Sequence, residues 1–565
     1  MTPVTTALRS VGTVDADGVR HLGPVRLTYS DGSEERVLAL LRSATDLGSD
    51  SRALVESASG WAERYHTHPD RANVLRAFDL PADLRVLEVG AGCGAVTRYL
   101  GEHAALVDAL EPMPARARAA RERTRDLPNV DIAVGEVADM PAAADYDLVV
   151  VIGVLEYVGF GARDDTERLS FLRAIRARLA PGGTLLLAIE NKLGVKYLAG
   201  APEDHTRGVY DGIEGYPSGG GARTFSRREL SGLLTAAGFT PQVHGAFPDY
   251  KMTRVVFSPE IAELDGPAAS LVAELPEFPS PDWTGDRPRG VDEGSLWRQV
   301  TDAGLAGEFA NSFVALARTD GDAALWPSDR LATAFSTQRA AGFTCRIDLR
   351  REGGALLASR TWSGGTAGDP DVGQVDQIGA FVPGQTLLEA VADADFVAGD
   401  DIAALFTAWR LLADDGDPGA PALLADDLVV GADGALTPTH AGIRVAGWSA
   451  SDALQRGILL LGLSVALRTP PHRWPGAETV GDIVRRLGDL AVLPEGWLDE
   501  AVVTEATWRA KTRTVSPLGG PSRGHVAEWE SLIRGELDRN IWSLPLGHRE
   551  HDVTAHLRSQ LQGGQ

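Results

Sequence analysis

The sequence predicts an α/β protein whose largest domain is a parallel sheet covered by helices. Between residues 61 and 259, short apolar runs alternate with helix-like runs, a pattern typical of strand–helix–strand units. A glycine-rich turn, "VGAGCG" at 89–94, joins the first of these apolar runs to a helical run. With 565 residues the chain is too long for one hydrophobic core, so several domains are expected.

The order of the predicted elements divides the chain into five segments. An N-terminal extension at 1–60 alternates, turns at residues 30–32 and then becomes helical. The α/β domain follows at 61–260, and its strands are expected at 85–89, 106–110, 130–134, 147–152, 184–189, about 241–246 and 252–257. The rest is predicted as three segments: a linker or helical excursion at 261–324, an α+β accessory domain at 325–515 and a helical tail at 516–565.

Composition narrows the classes of partner. The chain has 54 basic and 78 acidic residues, and its net charge of −24 repels phosphate backbones and anionic membranes. No apolar run reaches the ~18–20 residues of a membrane helix, and the N-terminus lacks the pattern of a secretion signal. Cys93 and Cys345 provide neither a disulfide framework nor a clustered metal-ligand spacing. We therefore expect a cytoplasmic protein that uses a small-molecule substrate, without nucleic-acid or membrane partners and without a metal.

The glycine-rich turn is compatible with two cofactors. Gly90, Gly92 and Ala95 satisfy the dinucleotide pattern G-x-G-x-x-G/A, whereas Gly90, Gly92 and Gly94 satisfy the G-x-G-x-G of S-adenosylmethionine (SAM) enzymes. Either cofactor needs a tight turn that brings the backbone and helix N–H groups close to the ligand. Glu111, after the second strand, does not discriminate, because a carboxylate there accepts hydrogen bonds from the ribose of either cofactor.

Four further features favour SAM. Glu88 lies two residues before the first glycine, where a carboxylate is useful beside an amino-acid group and not beside a pyrophosphate. The third strand ends in "VGEVADMP" (134–141), which again supplies an acid. The fourth strand, "YDLVVVIGVLEYV" (146–158), leads directly into Gly153 and Tyr157. Finally, "LRAIRARLAPGGTLLLAIEN" (172–191) contains a helix, a turn and a buried fifth strand.

These motifs together resemble class I SAM-dependent methyltransferases. The segments "LEVGAGCG", "LEP", "GEVADMP", "VIGVLEYV" and "LAPGGTLLLAIEN" occur in that family's order and approximate spacing. The resemblance implies a Rossmann-like seven-stranded sheet whose last strand is antiparallel, so that the stretch 237–259 should form a hairpin at the sheet edge. It also implies SAM as the cofactor. The residues expected at the cofactor are Tyr65, Glu88, Gly90, Gly92, Gly94, Glu111, Pro112, Met113, Glu136, Val137, Ile152, Gly153 and Leu155.

The acceptor site is expected beside the long insertion at 190–230, which follows the fifth strand. Its glycines allow a mobile lid, although a solvated surface loop would have a similar composition. We predict His205 as the proton acceptor, because imidazole titrates near neutral pH. Either Glu203 or Asp204, which immediately precede it, is expected to orient the ring and raise its basicity. Tyr157, Tyr210 or no base at all are the alternatives.

The phrase "ENKLGVKYLAGAPEDH" also resembles a bacterial subgroup of these enzymes that is associated with polysaccharide and specialised-metabolite (antibiotic) biosynthesis. That resemblance implies methyl transfer to an oxygen or nitrogen of a small-molecule acceptor, such as a metabolite or a sugar-containing intermediate. Two alternatives stay open: a SAM-fold enzyme repurposed for a cyclisation or rearrangement, and a non-catalytic organiser of a pathway. Intact SAM motifs argue against the organiser.

The accessory domain resembles a degenerate kinase-like module at 421–448, where a strand, an "ADG" turn and a second strand are expected. In that pattern Ala422 stands where the catalytic Asp belongs, Asp427 replaces the Asn, and His440 lies near the position of the metal-binding Asp. Phosphoryl transfer needs those oxygen ligands for magnesium, so we expect it to be lost. A structural, substrate-covering or homodimerising role is predicted instead.

Overall fold

The computed structural model describes most of the chain. The described residues are 6–24, 32–162, 164–219, 221–264, 275–276, 278–281, 290–320, 325–337, 339–340, 343–363, 372–373, 377–394, 399–414, 419–440, 443–513 and 525–544. The turn predicted at residues 30–32 and much of the predicted linker and tail fall partly or wholly outside these ranges.

Nineteen strands are formed by the described residues. They are β1 (Thr13–Val14), β2 (Arg20–His21), β3 (Arg85–Val89), β4 (Leu106–Leu110), β5 (Val130–Val134), β6 (Tyr146–Ile152), β7 (Leu179–Glu190), β8 (Thr240–Phe247), β9 (Val255–Phe257), β10 (Ser312–Arg318), β11 (Arg330–Phe335), β12 (Thr344–Glu352), β13 (Ala355–Ser363), β14 (Val372–Gly373), β15 (Gln377–Ala380), β16 (Ala420–Pro421), β17 (Leu428–Val430), β18 (Leu436–Pro438) and β19 (Arg444–Val445).

Seventeen α-helices are formed by the same residues. They are α1 (Glu34–Ser43), α2 (Arg52–Ser57), α3 (Trp61–Thr67), α4 (Asn73–Arg76), α5 (Ala95–His103), α6 (Pro114–Arg123), α7 (Thr166–Arg176), α8 (Val195–Leu198), α9 (Arg227–Ala236), α10 (Glu293–Asp302), α11 (Ala306–Phe309), α12 (Leu387–Asp393), α13 (Gly399–Ala413), α14 (Ala450–Arg468), α15 (Val480–Leu490), α16 (Trp497–Thr512) and α17 (Val526–Leu537).

One large sheet organises the α/β part of the molecule. Its order in the described chain is β1-β2-β5-β4-β3-β6-β7-β10-β8-β9-β11-β12-β13-β15. From β2 to β7 the strands are parallel, and β3 is flanked by β4 and β6. Strand β6, "YDLVVVI", is rich in β-branched residues and almost wholly buried, as expected for a central strand with helices on both faces. The predicted α/β fold is therefore confirmed.

The antiparallel strand of the sheet comes from a different part of the chain than expected. The predicted hairpin does form, because β8 pairs with β9 through Gly245 and Phe257. However, the strand between β7 and β8 is β10, which is antiparallel to both along its full length. Its sequence, "SFVALAR", lies within the predicted linker at 261–324. Strand β10 pairs through all seven residues with both neighbours, whereas β9 has three residues and lies between β8 and β11.

The sheet also extends beyond the predicted methyltransferase segment at both edges. Strands β1 and β2 of the N-terminal extension add to the edge at β5, and Arg9 forms an ion pair with the buried Asp108. Strands β11, β12, β13 and β15 continue the opposite edge from β9. One hydrophobic core therefore contains residues as distant in sequence as Leu8 and Ala358.

The C-terminal part has its own core, formed by helices α12–α17 with short strands beside them. Strands β17 and β18 pair around the "ADG" turn, so the predicted strand–turn–strand is present. By length and composition alone α14 could cross a membrane, which the sequence analysis did not anticipate. However, 61% of its most apolar window is buried against the rest of the protein, as in the core helix of a bundle.

Candidate functional site

The predicted cofactor residues meet at one edge of the sheet. Strands β5, β4, β3 and β6 are adjacent and parallel, so their carboxyl ends lie side by side. Ligands bind at this edge in open α/β sheets, near the point where the strand order reverses. Here the order reverses at β3, which is followed by the glycine turn.

The three glycines of this turn have different physical roles. All three have positive φ, which favours glycine, at +89° for Gly90, +55° for Gly92 and +87° for Gly94. A Cβ on Gly94 would lie 2.7 Å from Cα of Ala120, so this glycine permits helix packing. A Cβ on Gly92 would have no described atom within 4 Å. Gly92 therefore borders open space at the position where a ligand is expected.

Two buried carboxylates flank this space. Glu111 accepts hydrogen bonds from the backbone N–H groups of Gly92 (2.8 Å) and Met113 (3.0 Å), so it holds the glycine turn to the end of β4. Glu88, in β3, has one buried oxygen without a hydrogen-bond partner among the described residues. Burial raises the pKa of Glu88 to about 7. A buried carboxylate with one oxygen that lacks a hydrogen-bond partner, at the cofactor's expected position, fits the recognition of an ammonium group.

The remaining predicted cofactor residues lie around the same edge. Pro112 and Met113 precede α6, and Glu136 and Val137 begin a short 3₁₀ helix after β5. The side chains of Val137 and Leu155 are buried in the core, so only their backbones can face a ligand. Tyr65 lies in α3, where the Arg71 guanidinium stacks on its ring at 4.2 Å from the centroid. Ile152 ends β6.

Beyond β6 and β7, three titratable side chains form what we call the acid–imidazole cluster: Glu156, Glu190 and His205. One potential ligand atom from each lies within 4.8 Å of the other two. Glu190 is the last residue of β7, and Glu156 lies in the 3₁₀ turn after β6. Both glutamates are fully buried. His205 comes from the insertion and places Nε2 3.7 Å from Oε2 of Glu190, beyond hydrogen-bond distance.

The cluster is adjacent to the cofactor turn. A Cβ on Gly90 would lie 2.4 Å from the side chain of Val154, and one on Gly153 would lie 2.5 Å from the hydroxyl of Tyr250. That hydroxyl in turn donates a hydrogen bond to Glu156 at 3.3 Å. The same segment, 153–157, therefore borders both the glycine turn and the cluster.

The charges in this cluster shift one another's ionisation. Burial, and then the negative charge of Glu190, raise the pKa of Glu156 to about 8. Burial alone would raise the pKa of Glu190, but Lys251 and His205 hold it well below the ordinary value. Burial would lower the pKa of His205, but Glu190 and the other glutamates raise it to about 9. At neutral pH the ring is therefore protonated, and it must lose that proton before it can act as the predicted proton acceptor.

The structure brings together only some of the predicted catalytic residues. The hydroxyl of Tyr157 lies 3.2 Å from Nδ1 of His205. Asp204 does not orient the imidazole as predicted, because it accepts hydrogen bonds from Lys251 (2.6 Å) and from Lys196 (3.4 Å). Tyr210 is 41% exposed, and none of the described contacts joins it to the cluster. The backbone N–H groups of His205 and Thr206 donate hydrogen bonds to Oε2 of Glu203 at 2.7 and 2.6 Å, which holds the turn that carries the imidazole.

Sequence reasoning assigned no role to Glu156, Glu190, Tyr250 or Lys251. Lys251 forms a short ion pair with Glu190 and comes from the turn between β8 and β9. The position of Glu190 at the end of a buried parallel strand is a signal that could have identified it. Lys251 and Tyr250 gave no such signal, since only the folded β8–β9 hairpin brings them to β7.

Comparisons with known proteins agree with this geometry. Residues 87–185 match the family model described as a methyltransferase domain. The chain is 36% identical over 118 residues to protein-L-isoaspartate O-methyltransferase 1 of an Anaeromyxobacter species, covering 20% of this chain and 50% of that protein. It is 29% identical over 144 residues to a ubiquinone biosynthesis O-methyltransferase of Xanthomonas axonopodis pv. citri, covering 23% and 57%. The chain thus spans about half the length of the curated relatives it matches.

Among solved structures, the chain is similar to a SAM-dependent methyltransferase from Aquifex aeolicus, with 18% identity and a TM-score of 0.26 over 39% of this chain and 93% of that one. Residues 87–185 therefore match a methyltransferase domain, and the strand order around them shows the expected open α/β sheet.

Proposed function

We propose that the protein transfers a methyl group from SAM to an oxygen or nitrogen atom of a small-molecule acceptor held at the acid–imidazole cluster. The observation that carries this proposal is the adjacency of the two sites. The segment 153–157 contacts Gly90 on one side and supplies Glu156 and Tyr157 to the cluster on the other.

The residues at the sheet edge fit SAM in charge and in shape. The space beside Gly92 admits the methionine portion of SAM. The unpartnered oxygen of Glu88 accepts a hydrogen bond from the ammonium group of that portion. Glu111 has lone pairs beyond the two used by backbone N–H groups, and these suit ribose hydroxyls. When bound, SAM supplies an electrophilic methyl group on a sulfonium.

The cluster would hold the acceptor and manage its proton. Transfer to a hydroxyl releases one proton, which must go to a group that is unprotonated when the acceptor arrives. Because Glu156 and His205 have raised pKa values, the cluster must lose a proton before one of these groups can accept the proton of the acceptor. Burial of both glutamates indicates a site that excludes water, which favours transfer over side reactions.

We further propose that the acceptor is a specialised metabolite or a sugar-containing biosynthetic intermediate. This rests on the long insertion, which places a titratable residue at the cluster and so forms part of the acceptor site. One curated relative is named as a protein-L-isoaspartate O-methyltransferase and the other as a ubiquinone biosynthesis O-methyltransferase. These names support transfer to an oxygen atom but differ in the acceptor, so they do not identify the acceptor of this protein.

Calorimetric titration of the whole protein with SAM, with its demethylated product and with NAD tests the cofactor assignment. We expect micromolar binding of the first two and none of NAD. Incubation with methyl-labelled SAM and a panel of hydroxyl- and amine-bearing metabolites tests the reaction. A product that is altered but carries no label would indicate cyclisation or rearrangement, and binding of NAD without SAM would overturn the proposal.

A further inference from the structure

We propose that Glu156, Glu190 and His205 form a binding site for one divalent transition-metal cation. The three side chains come from separate elements: the turn after β6, the end of β7 and the insertion that follows β7. Together they offer two carboxylate oxygens and one imidazole nitrogen, a donor set suited to zinc, manganese, cobalt or iron.

The first argument is that each of the three side chains has one unused atom. Oε2 of Glu156, Oε2 of Glu190 and Nε2 of His205 are all buried and lack a hydrogen-bond partner among the described residues. Buried polar atoms of this kind normally find a partner, because leaving one unpaired costs about 1–3 kcal/mol. Two of these atoms, Nε2 of His205 and Oε2 of Glu190, face each other as an ion pair at 3.7 Å, and a shared ligand would satisfy all three atoms at once.

The second argument is that the opposite atom of each side chain is held in place. Tyr250 donates its hydroxyl hydrogen to Oε1 of Glu156 at 3.3 Å, and Lys251 donates to Oε1 of Glu190. The Tyr157 hydroxyl lies 3.2 Å from Nδ1 of His205. Metal ligands in proteins typically use their second polar atom in this way, which fixes the orientation of the first.

The spacing is compatible with one small cation. At bond lengths of about 2.0–2.2 Å, two ligands of one tetrahedral metal lie about 3.3–3.6 Å apart. Oε2 of Glu190 and Nε2 of His205 lie 3.7 Å apart, and one ligand atom from each of the three residues lies within 4.8 Å of the others. The pair at 3.7 Å already has nearly this spacing, and the third ligand atom must approach by at most about 1.2 Å, which rotation of a side chain supplies.

Two consequences for methyl transfer follow, and both rest on the proposed function. A cation bound at Nε2 replaces the predicted role of His205 as proton acceptor, because one lone pair cannot serve both. Three protein ligands also leave coordination positions open, and these would take an oxygen of the acceptor. The site thus favours a hydroxyl-bearing acceptor over an amine.

Manganese binding tests the site directly, without any methyl transfer. The whole protein is titrated with Mn²⁺ in the absence of SAM, and free Mn²⁺ is counted by electron paramagnetic resonance. We expect one Mn²⁺ per chain and a nitrogen coupling from the imidazole in pulsed spectra. Glu190→Gln and Glu156→Gln should weaken binding tenfold or more, and His205→Gln should remove the nitrogen coupling. Glu214→Gln serves as the matched control, since it removes an exposed carboxylate from the same insertion.

Circular dichroism identifies variants that fail to fold. If the variants of the buried glutamates fail to fold, the test rests on His205→Gln. Absence of bound Mn²⁺ at millimolar concentration, or binding that every variant retains, would overturn the inference. SAM binding measured with and without a chelator separates the two proposals. Lost metal binding with intact SAM binding contradicts only the metal site, whereas lost SAM binding contradicts the proposed function.

Discussion

The phenol oxygen of Tyr157 lies 3.2 Å from Nδ1 of His205, and the two rings meet edge to face with centroids 5.3 Å apart. This contact joins the turn after β6 to the insertion after β7. It therefore fixes the imidazole from the side opposite Glu190, and the direction of Nε2 depends on it.

Replacing Tyr157 with Phe tests this contact. The variant keeps the ring contact but removes the hydroxyl, so the imidazole loses one of the groups that orient it. We expect the methyl-transfer rate to fall about tenfold, with SAM affinity unchanged and the pH–rate midpoint displaced. Rates and midpoint equal to the wild type would show that the contact does not matter for transfer. Phe160→Leu is the control, because it changes an exposed aromatic residue of the same segment.

Methyl transfer should depend on pH through the cluster. With a chelator present to remove any bound metal, we expect the methyl-transfer rate to increase between about pH 7 and pH 9. The reason is that Glu156 and His205 lose protons near pH 8 and pH 9, respectively. A rate profile that is flat over this range, measured at saturating SAM, would contradict this assignment.

Stability should change in the opposite direction. The pKa of His205 is raised above its unfolded value of 6.5, so its contribution is complete below about pH 6.5 and is lost as the pH rises through about 9. The contribution is on the order of 3 kcal/mol. Chemical denaturation of wild type and His205→Gln at several pH values measures it. The difference between the two proteins should shrink as the pH rises, and a constant difference would contradict the ion-pair origin.

The glycine turn allows a paired test of binding against folding. Gly92→Ala places a methyl group in open space, so it should cost only the ~1–2 kcal/mol of a left-handed backbone while weakening SAM binding at least tenfold. Gly94→Ala meets the backbone of α6 at 2.7 Å and should cost about 1–3 kcal/mol more. Thermal unfolding and SAM calorimetry on both variants check this. Equal SAM affinities for Gly92→Ala and wild type would show that the cofactor does not bind beside Gly92.

Glu111 should affect both the turn and the cofactor. Glu111→Ala removes the acceptor for the N–H groups of Gly92 and Met113 and for the ribose, at about 1.5–3 kcal/mol per charged hydrogen bond. We expect SAM binding to weaken about 10- to 150-fold. Glu111→Gln retains one acceptor oxygen and should give an intermediate loss, and an alanine variant with wild-type affinity would contradict the assignment.

The C-terminal part should not bind ATP with magnesium. Asp427 is engaged by His440, whose Nε2 lies 2.9 Å from its Oδ1, so the oxygen that could serve magnesium is already paired. Millimolar ATP and magnesium should produce no thermal shift in the whole protein. A shift that is lost in Asp427→Asn would restore a nucleotide-binding role.

Much of the α/β architecture could be predicted because its signals are local. Four of the first five predicted strands are present to within one residue, since β-branched runs such as "LVVVI" are followed by turn residues. The fifth, predicted at 184–189, begins at Leu179 and therefore includes the Pro-Gly-Gly segment that was predicted as a turn. The glycine turn after β3, Glu111 after β4 and Glu136 after β5 lie at one sheet edge, and their contact with a cofactor stays a prediction. Local patterns are sufficient there because each parallel strand is followed by its own ligand-facing turn.

The rest depended on contacts between distant segments. The pattern of "SFVALAR" indicates a strand but not its partners, so β10 could not be assigned to the slot between β7 and β8. Lys251 reaches Glu190 only through the β8–β9 turn. The predicted orientation of Asp204 was also wrong, because Asp204 pairs with Lys196 of the same insertion and with Lys251 of the distant β8–β9 turn. Sequence periodicity carries no information about such pairings.

The position of β10 also sets the order of events at the ribosome. While the chain is being synthesised, β7 and β8 emerge long before the strand that joins them, and their facing edges lack backbone partners until Arg318 has left the exit tunnel. Unpaired edges of this kind invite pairing with other chains. A nascent chain that stalls before this residue, or a gene fragment that ends near residue 260, should therefore need chaperone protection and tend to aggregate.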